Sequence, residues 1–191
     1  MTEKSCIVRK ETVFLFVDEC HLLWGDALGY VWGPKGERIE LPIRNERERQ
    51  TYYGALNLLS GDTLTFSAEA GNGDQTVTFL KSLRRCFQGR RLVLLWDGAS
   101  YHRSDLVKTY LRKLNGERPE EERLIQCIRF APNAPEQNPM EDVWLAGKQA
   151  VRKHWYEMET FAQVKHFFST FIEGMTVQFE KLNWYGRLQL I

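Results

Sequence analysis

The chain has 191 residues, a length that one hydrophobic core can serve, so a single domain over 1–191 is expected and two full domains are not. Apolar residues make up 43% and aromatics 13%, enough to bury that core and to exclude a disordered or fibrous chain. Lys plus Arg number 26 against 25 Asp plus Glu, so net charge supplies no bulk attraction to nucleic acid or anionic lipid, and any such site must be a local patch.

Residues 12–17 form an uninterrupted apolar, β-branched and aromatic run, the pattern of a strand buried on both faces, and it is expected to stop at Asp18-Glu19. Residues 29–36 read as a hairpin excursion ending in Gly33-Pro34-Lys35-Gly36, and 44–49 as a charged, solvated connector. Residues 51–58 and 63–67 make a second hairpin through Ser60-Gly61-Asp62. A helix with Val77, Leu80, Leu83 and Phe87 on one side follows, and then a buried strand over 91–96 that ends at Asp97. Residues 104–114 carry a helical stripe of Leu106, Val107, Tyr110, Leu111 and Leu114, and 124–130 a short strand. After a proline-broken loop over 131–137, Asn138 is the expected N-cap and Pro139 the first residue of a helix reaching about His154. The last helix starts at Thr160, which forms a capping-box pattern with Gln163, and its stripe is Phe161, Val164, Phe168, Phe171, Ile172 and Met175.

The cysteines Cys6, Cys20, Cys86 and Cys127 lie far apart without a Cys-x-x-Cys pair, which indicates neither a disulfide scaffold nor a zinc ribbon and fits a reducing cytoplasm. Cys20-His21 has no matching second pair and is not a zinc site. No apolar run approaches the roughly 20 residues that span a bilayer, and residues 1–11 hold charges rather than an apolar signal core, so no membrane is expected as a partner.

If the strands over 12–17 and 91–96 are adjacent and parallel, Asp18 and Asp97 fall side by side at their carboxyl ends, where ligands of open sheets gather. Two carboxylates about 4 Å apart repel by on the order of 4 kcal/mol at an effective dielectric near 20, a cost that a divalent cation removes. Two such ions could activate a water or hydroxyl and stabilise the leaving oxygen of a phosphodiester. At about 100° per residue, Lys148 and Arg152 flank Glu141 on one helix face, so Glu141 could complete a metal site while the two cations hold phosphates. Each residue also has a plainer role. Asp18 and Asp97 could be turn or cap residues, Glu141 could return to the Asn138 backbone, and Lys148 and Arg152 could be a solvated face. Those local roles do not explain why both buried strands meet an Asp. His102, five residues after Asp97, could orient water or phosphate, or simply lie on the surface. Arg84-Arg85 and Arg90-Arg91 could touch DNA, although a solvated turn suits them better.

Three segments carry a resemblance: Phe16-Val17-Asp18-Glu19-Cys20-His21; Leu94-Leu95-Trp96-Asp97-Gly98-Ala99-Ser100-Tyr101-His102; and the block from Ala131-Pro132 through Gln137-Asn138-Pro139-Met140-Glu141-Asp142-Val143-Trp144. Together they resemble the catalytic domain of mariner-superfamily DDE transposases, nearest the bacterial insertion-sequence family 630, with a core over 11–185. The resemblance implies an α/β fold, a ribonuclease-H-like mixed five-stranded sheet flanked by helices. It also implies that Asp18, Asp97 and Glu141 are the catalytic and metal-binding triad for two Mg2+ or Mn2+ ions. The implied reaction is hydrolysis of phosphodiesters at the element's ends, followed by attack of the freed 3′-hydroxyl on target DNA, typically at TA, with no covalent protein–DNA intermediate. Lys148, Arg152, His102 and Asn138 are the expected DNA-binding residues. The implied partners are double-stranded transposon ends and target, and a second copy of the chain on DNA. Relatives carry a helix-turn-helix region before the catalytic domain, which is absent ahead of Asp18 here; a separately encoded DNA-binding half, a decayed copy or a trimmed chain would each account for that. Asn133-Ala134 and Gln137 depart from the Tyr-Ser and apolar residue that relatives tend to carry. The alternatives are an inactive DNA- or protein-binding remnant whose acids are caps, and a stand-alone ribonuclease-H-like nuclease. Residues 183–187 are read as a packed tail rather than a dimer contact.

Overall fold

The strand run that opens the sequence becomes the middle of the sheet. A computed structural model describes residues 12–27, 34–36, 48–131, 137–173 and 175–177. In it β1 (Thr12–Leu23), β2 (Arg49–Asn57), β3 (Thr63–Ala68), β4 (Arg91–Trp96) and β5 (Ile125–Arg129) form one five-stranded sheet in the order β3-β2-β1-β4-β5. β2 and β3 run antiparallel to their neighbours, whereas β1, β4 and β5 are parallel. Four helices accompany it, α1 (Gly73–Cys86), α2 (Asp105–Asn115), α3 (Met140–Lys153) and α4 (Phe161–Ile172), giving the expected mixed, five-stranded α/β architecture.

Both faces of the sheet are covered, and the two-residue repeat of a strand sorts β1 between them. Phe14, Phe16, Cys20 and Leu22 pack with Met140, Val143, Trp144, Phe161, Val164 and Phe168 under α3 and α4. Val13, Leu15 and Val17 pack with Phe79, Leu80, Leu83 and Val107 under α1 and α2. This explains why the run is apolar without alternation: neither face meets water.

β1 does not stop at Asp18-Glu19. It continues to Leu23 because β2 keeps pairing with it, Asp18 opposite Gly54 and Leu23 opposite Arg49. What ends near the acids is the parallel ladder to β4, whose last registered partners are Phe16 and Leu95. The acids therefore sit where β4 leaves β1, with Asp97 directly after Trp96.

The helices differ from their expected stripes in particular positions. In α1 the fully buried residues are Thr76, Phe79, Leu80 and Leu83, with Val77 and Phe87 half-buried against the same core, and Phe79 joins the stripe by ring contacts with Tyr53 and Phe66. Leu106 of α2 and Phe171 of α4 point outward, and Val107, Phe168 and Ile172 carry the burial. The capping box of Thr160 and Gln163 is present as expected. α3 starts at Met140 rather than Pro139, and Asn138 still satisfies an end amide, its Oδ1 accepting from Met140 N at 3.2 Å. Arg49 opens β2, and Arg84 donates to the Arg90 carbonyl within the turn before β4. The expected hairpin over 29–33, the connector over 44–47, the proline loop over 132–136 and the tail over 183–187 lie outside the described residues.

Candidate active site

Asp18 is the least solvated of the expected acids. As an even-numbered position of β1 it faces α3, only 6% exposed. Opposite it stands Gly54, where a Cβ would fall 2.2 Å from Met140 Cε and 2.5 Å from Trp144 Cζ2. The missing side chain lets the Trp144 ring lie against the sheet, and its Nε1–H donates to Asp18 Oδ2 at 3.0 Å. Burial pushes the Asp18 carboxyl up to about 8, and the charges of Glu141, Glu19 and Asp97 push the same way, against a backbone hydrogen bond from Glu19. The charges of Asp97 at the β4 end and Glu141 on α3 therefore both reach Asp18.

Asn138 fixes where α3 begins. Its Nδ2 donates to the Val17 carbonyl at 3.3 Å, its Oδ1 receives Met140 N, and Glu141 N donates to the Asn138 carbonyl at 3.1 Å. The first turn of α3 is thereby fastened to β1 next to Asp18, and Glu141 lies exposed on that turn. Asp97 lies half exposed, with Oδ1 accepting from Ala99 N at 2.9 Å and lying 3.0 Å from His102 Nδ1 as an ion pair. The close contact with His102 is the main reason its carboxyl is held below the usual range, with the Ala99 amide adding to it against burial.

His102 and Asn138, expected at the DNA surface, are both buried, at 4% and 3% exposure. Their polar atoms face protein groups, so neither side chain is offered to a duplex; each organises an acid instead. Lys148 and Arg152 lie on the outer side of α3, with Arg152 exposed and Lys148 Nζ donating to the His21 carbonyl at 3.1 Å.

The residue that sequence reasoning passed over is Glu19. Being odd-numbered in β1, it faces α1 and α2, away from Asp18. There Oε1 meets His102 Nε2 at 2.8 Å and Oε2 accepts from the Tyr101 hydroxyl at 3.1 Å. The His102 ring stacks on Trp96, centroids 4.3 Å apart. Burial opposes its charge, yet the contacts with Asp97 and Glu19 and their charges raise its pKa to about 9. A signal was available: an acid beside Asp18 inside a buried strand needs a cation on the other face. Among the described residues, Glu19, Asp97 and His102 are the tight group of metal-capable side chains, with donor atoms within 4.8 Å of one another, tighter than the expected triad. Each ring nitrogen lies against its own carboxylate, Nε2 against Glu19 and Nδ1 against Asp97, so the three form an ion-paired cluster.

The family model described as "DDE superfamily endonuclease" matches residues 13–164. The chain belongs to that family. The match runs from β1 into α4 and includes Asp18, Asp97 and Glu141. Among solved structures, this DDE-family chain is similar to a Mos1 transposase paired-end complex with the left transposon end, at 15% identity and a TM-score of 0.59, covering 91% of this chain and 50% of that one. It is also similar to the Mos1 transposase catalytic domain with Raltegravir and Mn, at 13% identity and a TM-score of 0.56, covering 91% and 75%. A third is a simian T-cell lymphotropic virus intasome in complex with a PP2A regulatory subunit, at 10% identity and a TM-score of 0.57, covering 93% and 55%. These TM-scores show that the chain shares its fold with those proteins. The chain spans about half the length of the transposase chain in the paired-end complex. No curated protein sequence matches it. Among the described residues no helix is long and apolar enough to cross a membrane.

Proposed function

We propose that the chain is the catalytic domain of a DDE transposase, cleaving DNA phosphodiesters and joining the freed 3′-hydroxyl to a second DNA, with Asp18, Asp97 and Glu141 as the metal-binding and catalytic triad. The observation that carries this is the buried Asp18 carboxylate, pushed up to about 8 by burial and by the charges of three other carboxylates. Such a group is poorly tolerated as an anion without a cation, and an all-oxygen donor set suits Mg2+ or Mn2+. Held by these three acids, divalent ions would supply activation of the attacking oxygen and stabilisation of the leaving one. The protein's own part is to hold the donors. Trp144 and the β1 backbone fix Asp18, the Asn138 staple sets the first turn bearing Glu141, and Ala99 with His102 fixes Asp97. Lys148 and Arg152, on the same face of α3 as Glu141, track the phosphates of the bound strand. The substrate class is double-stranded DNA, transposon ends and a target with TA at the insertion point, with two copies of the chain acting together in the cytoplasm of a bacterial cell.

Supercoiled plasmid incubated with the chain and Mg2+ or Mn2+ is expected to be nicked, and Asp97→Asn is expected to abolish nicking. Nicking that persists in a chelator, or in Asp97→Asn, would overturn the assignment. Joining of a labelled 3′ end to a second DNA separates a transposase from a nuclease that only cuts.

A further inference from the structure

The reaction proposed above uses Asp18, Asp97 and Glu141 and leaves the buried Glu19–His102 pair on the other face of the sheet unexplained. The side chains of Glu19 and His102 are 4% and 1% exposed, whereas that of Asp97 is 52% exposed. Both Glu19 oxygens are engaged, one by His102 Nε2 and the other by the Tyr101 hydroxyl. His102 is therefore gripped at one nitrogen, stacked flat on Trp96 with an interplanar angle of 7°, and left to present Nδ1 to Asp97 Oδ1. That last contact is at 3.0 Å but is poorly directed for a hydrogen bond, so Nδ1 is buried without a well-aligned partner. Asp97 Oδ1 also receives the Ala99 amide, and among the described residues no hydrogen bond is made to Oδ2. One oxygen of a half-exposed acid is thus held from beneath and the other is open.

We infer that Glu19 and His102 form a positioning pair that fixes the rotamer of Asp97, reserving Oδ2 for a divalent cation while Oδ1 is held by protein. The residue type at each place follows. His102 must reach two acceptors on opposite sides of one ring. Glu19 must come from the strand position adjacent to Asp18, so that one β1 segment directs an acid to each face of the sheet. Trp96, the last residue of β4, keeps the ring in the plane joining Glu19 to Asp97. Partners of this kind change metal affinity by about 10- to 100-fold when removed, without touching the metal themselves.

This inference rests on the metal-site reading above, and the test separates the two. Mn2+ binding is followed by the loss of the free-ion electron paramagnetic resonance signal, with folding checked by circular dichroism, for the wild type, His102→Gln, Glu19→Gln, Asp97→Asn and the double variant His102→Gln/Asp97→Asn. Both His102→Gln and Glu19→Gln are expected to weaken Mn2+ binding by about tenfold where Asp97 is intact. Against Asp97→Asn, His102→Gln is expected to cost less than about twofold, because its effect travels through the residue already removed. Equal losses in both backgrounds, or none in the Asp97 background, would overturn the positioning role. If His102→Gln does not fold, Glu19→Gln, which keeps side-chain size and leaves His102 in place, decides the matter by the same measure. A wild type that binds no Mn2+ sinks the metal site and this inference together, whereas a wild type that binds Mn2+ through Asp97 but is indifferent to Glu19 and His102 sinks only the latter.

Discussion

Asp18 and His102 set opposite demands on charge a few residues apart in space. Asp18 goes from an ordinary carboxylate value of 3.8 to about 8 on folding, so the folded state binds the extra proton between those limits. Stability from this group is full below about pH 4 and declines as pH rises toward 8, by several kcal/mol in the cation-free protein. His102, raised from 6.5 to about 9, has the same sign over a higher window: its contribution is full below about pH 6.5 and is lost as pH rises through 9. Asp97, lowered, loses its contribution on acidification instead. The metal-free protein is therefore expected to melt at progressively lower temperature from pH 5.5 to 8.5. Asp18→Asn should raise the metal-free melting temperature at pH 8 by more than at pH 5. A melting temperature for Asp18→Asn that tracks the wild type at both pH values would contradict the burial argument.

At the scale of elements, the site depends on how closely α3 lies on the sheet. Gly54 leaves room for Trp144 and Met140, and Gly54→Ala is expected to cost about 1–3 kcal/mol because the Trp144 ring is buried and cannot swing clear. Denaturant melts would show it, and the same variant should weaken Mn2+ binding by shifting the turn that carries Glu141. The outer side of α3 has a separate role. Lys148→Ala is expected to weaken DNA binding similarly for all sequences and to flatten the dependence of log affinity on log salt by about one unit. An unchanged slope would remove Lys148 from the phosphate track.

For the molecule as a whole, cation and fold are expected to be linked. Saturating Mg2+ or Mn2+ should raise the melting temperature, by a margin that grows from pH 5.5 to 8.5 as Asp18 ionises, and Asp18→Asn should lose most of that margin. A shift independent of pH would mean that the ion binds elsewhere.

Local chemistry was enough to specify much of this protein. The unbroken apolar runs of β1 and β4, the hairpin through Ser60-Gly61, the Thr160 capping box and the helix carrying Glu141, Lys148 and Arg152 each follow from patterns within a few residues, and so does the list of acids. The length of β1 past Asp18 was decided by β2, a strand some thirty residues away that goes on pairing where β4 departs. The burial of Asn138 and His102 is likewise tertiary, because a polar side chain's exposure depends on which backbone or carboxylate the fold brings against it. Glu19 is the sharpest instance. Beside Asp18 in the chain and on the opposite face of the sheet in space, it acquires its partner only when β4 and the turn after it lie alongside β1. Sequence fixes which side of a strand a residue takes, while what waits on that side is settled by long-range pairing.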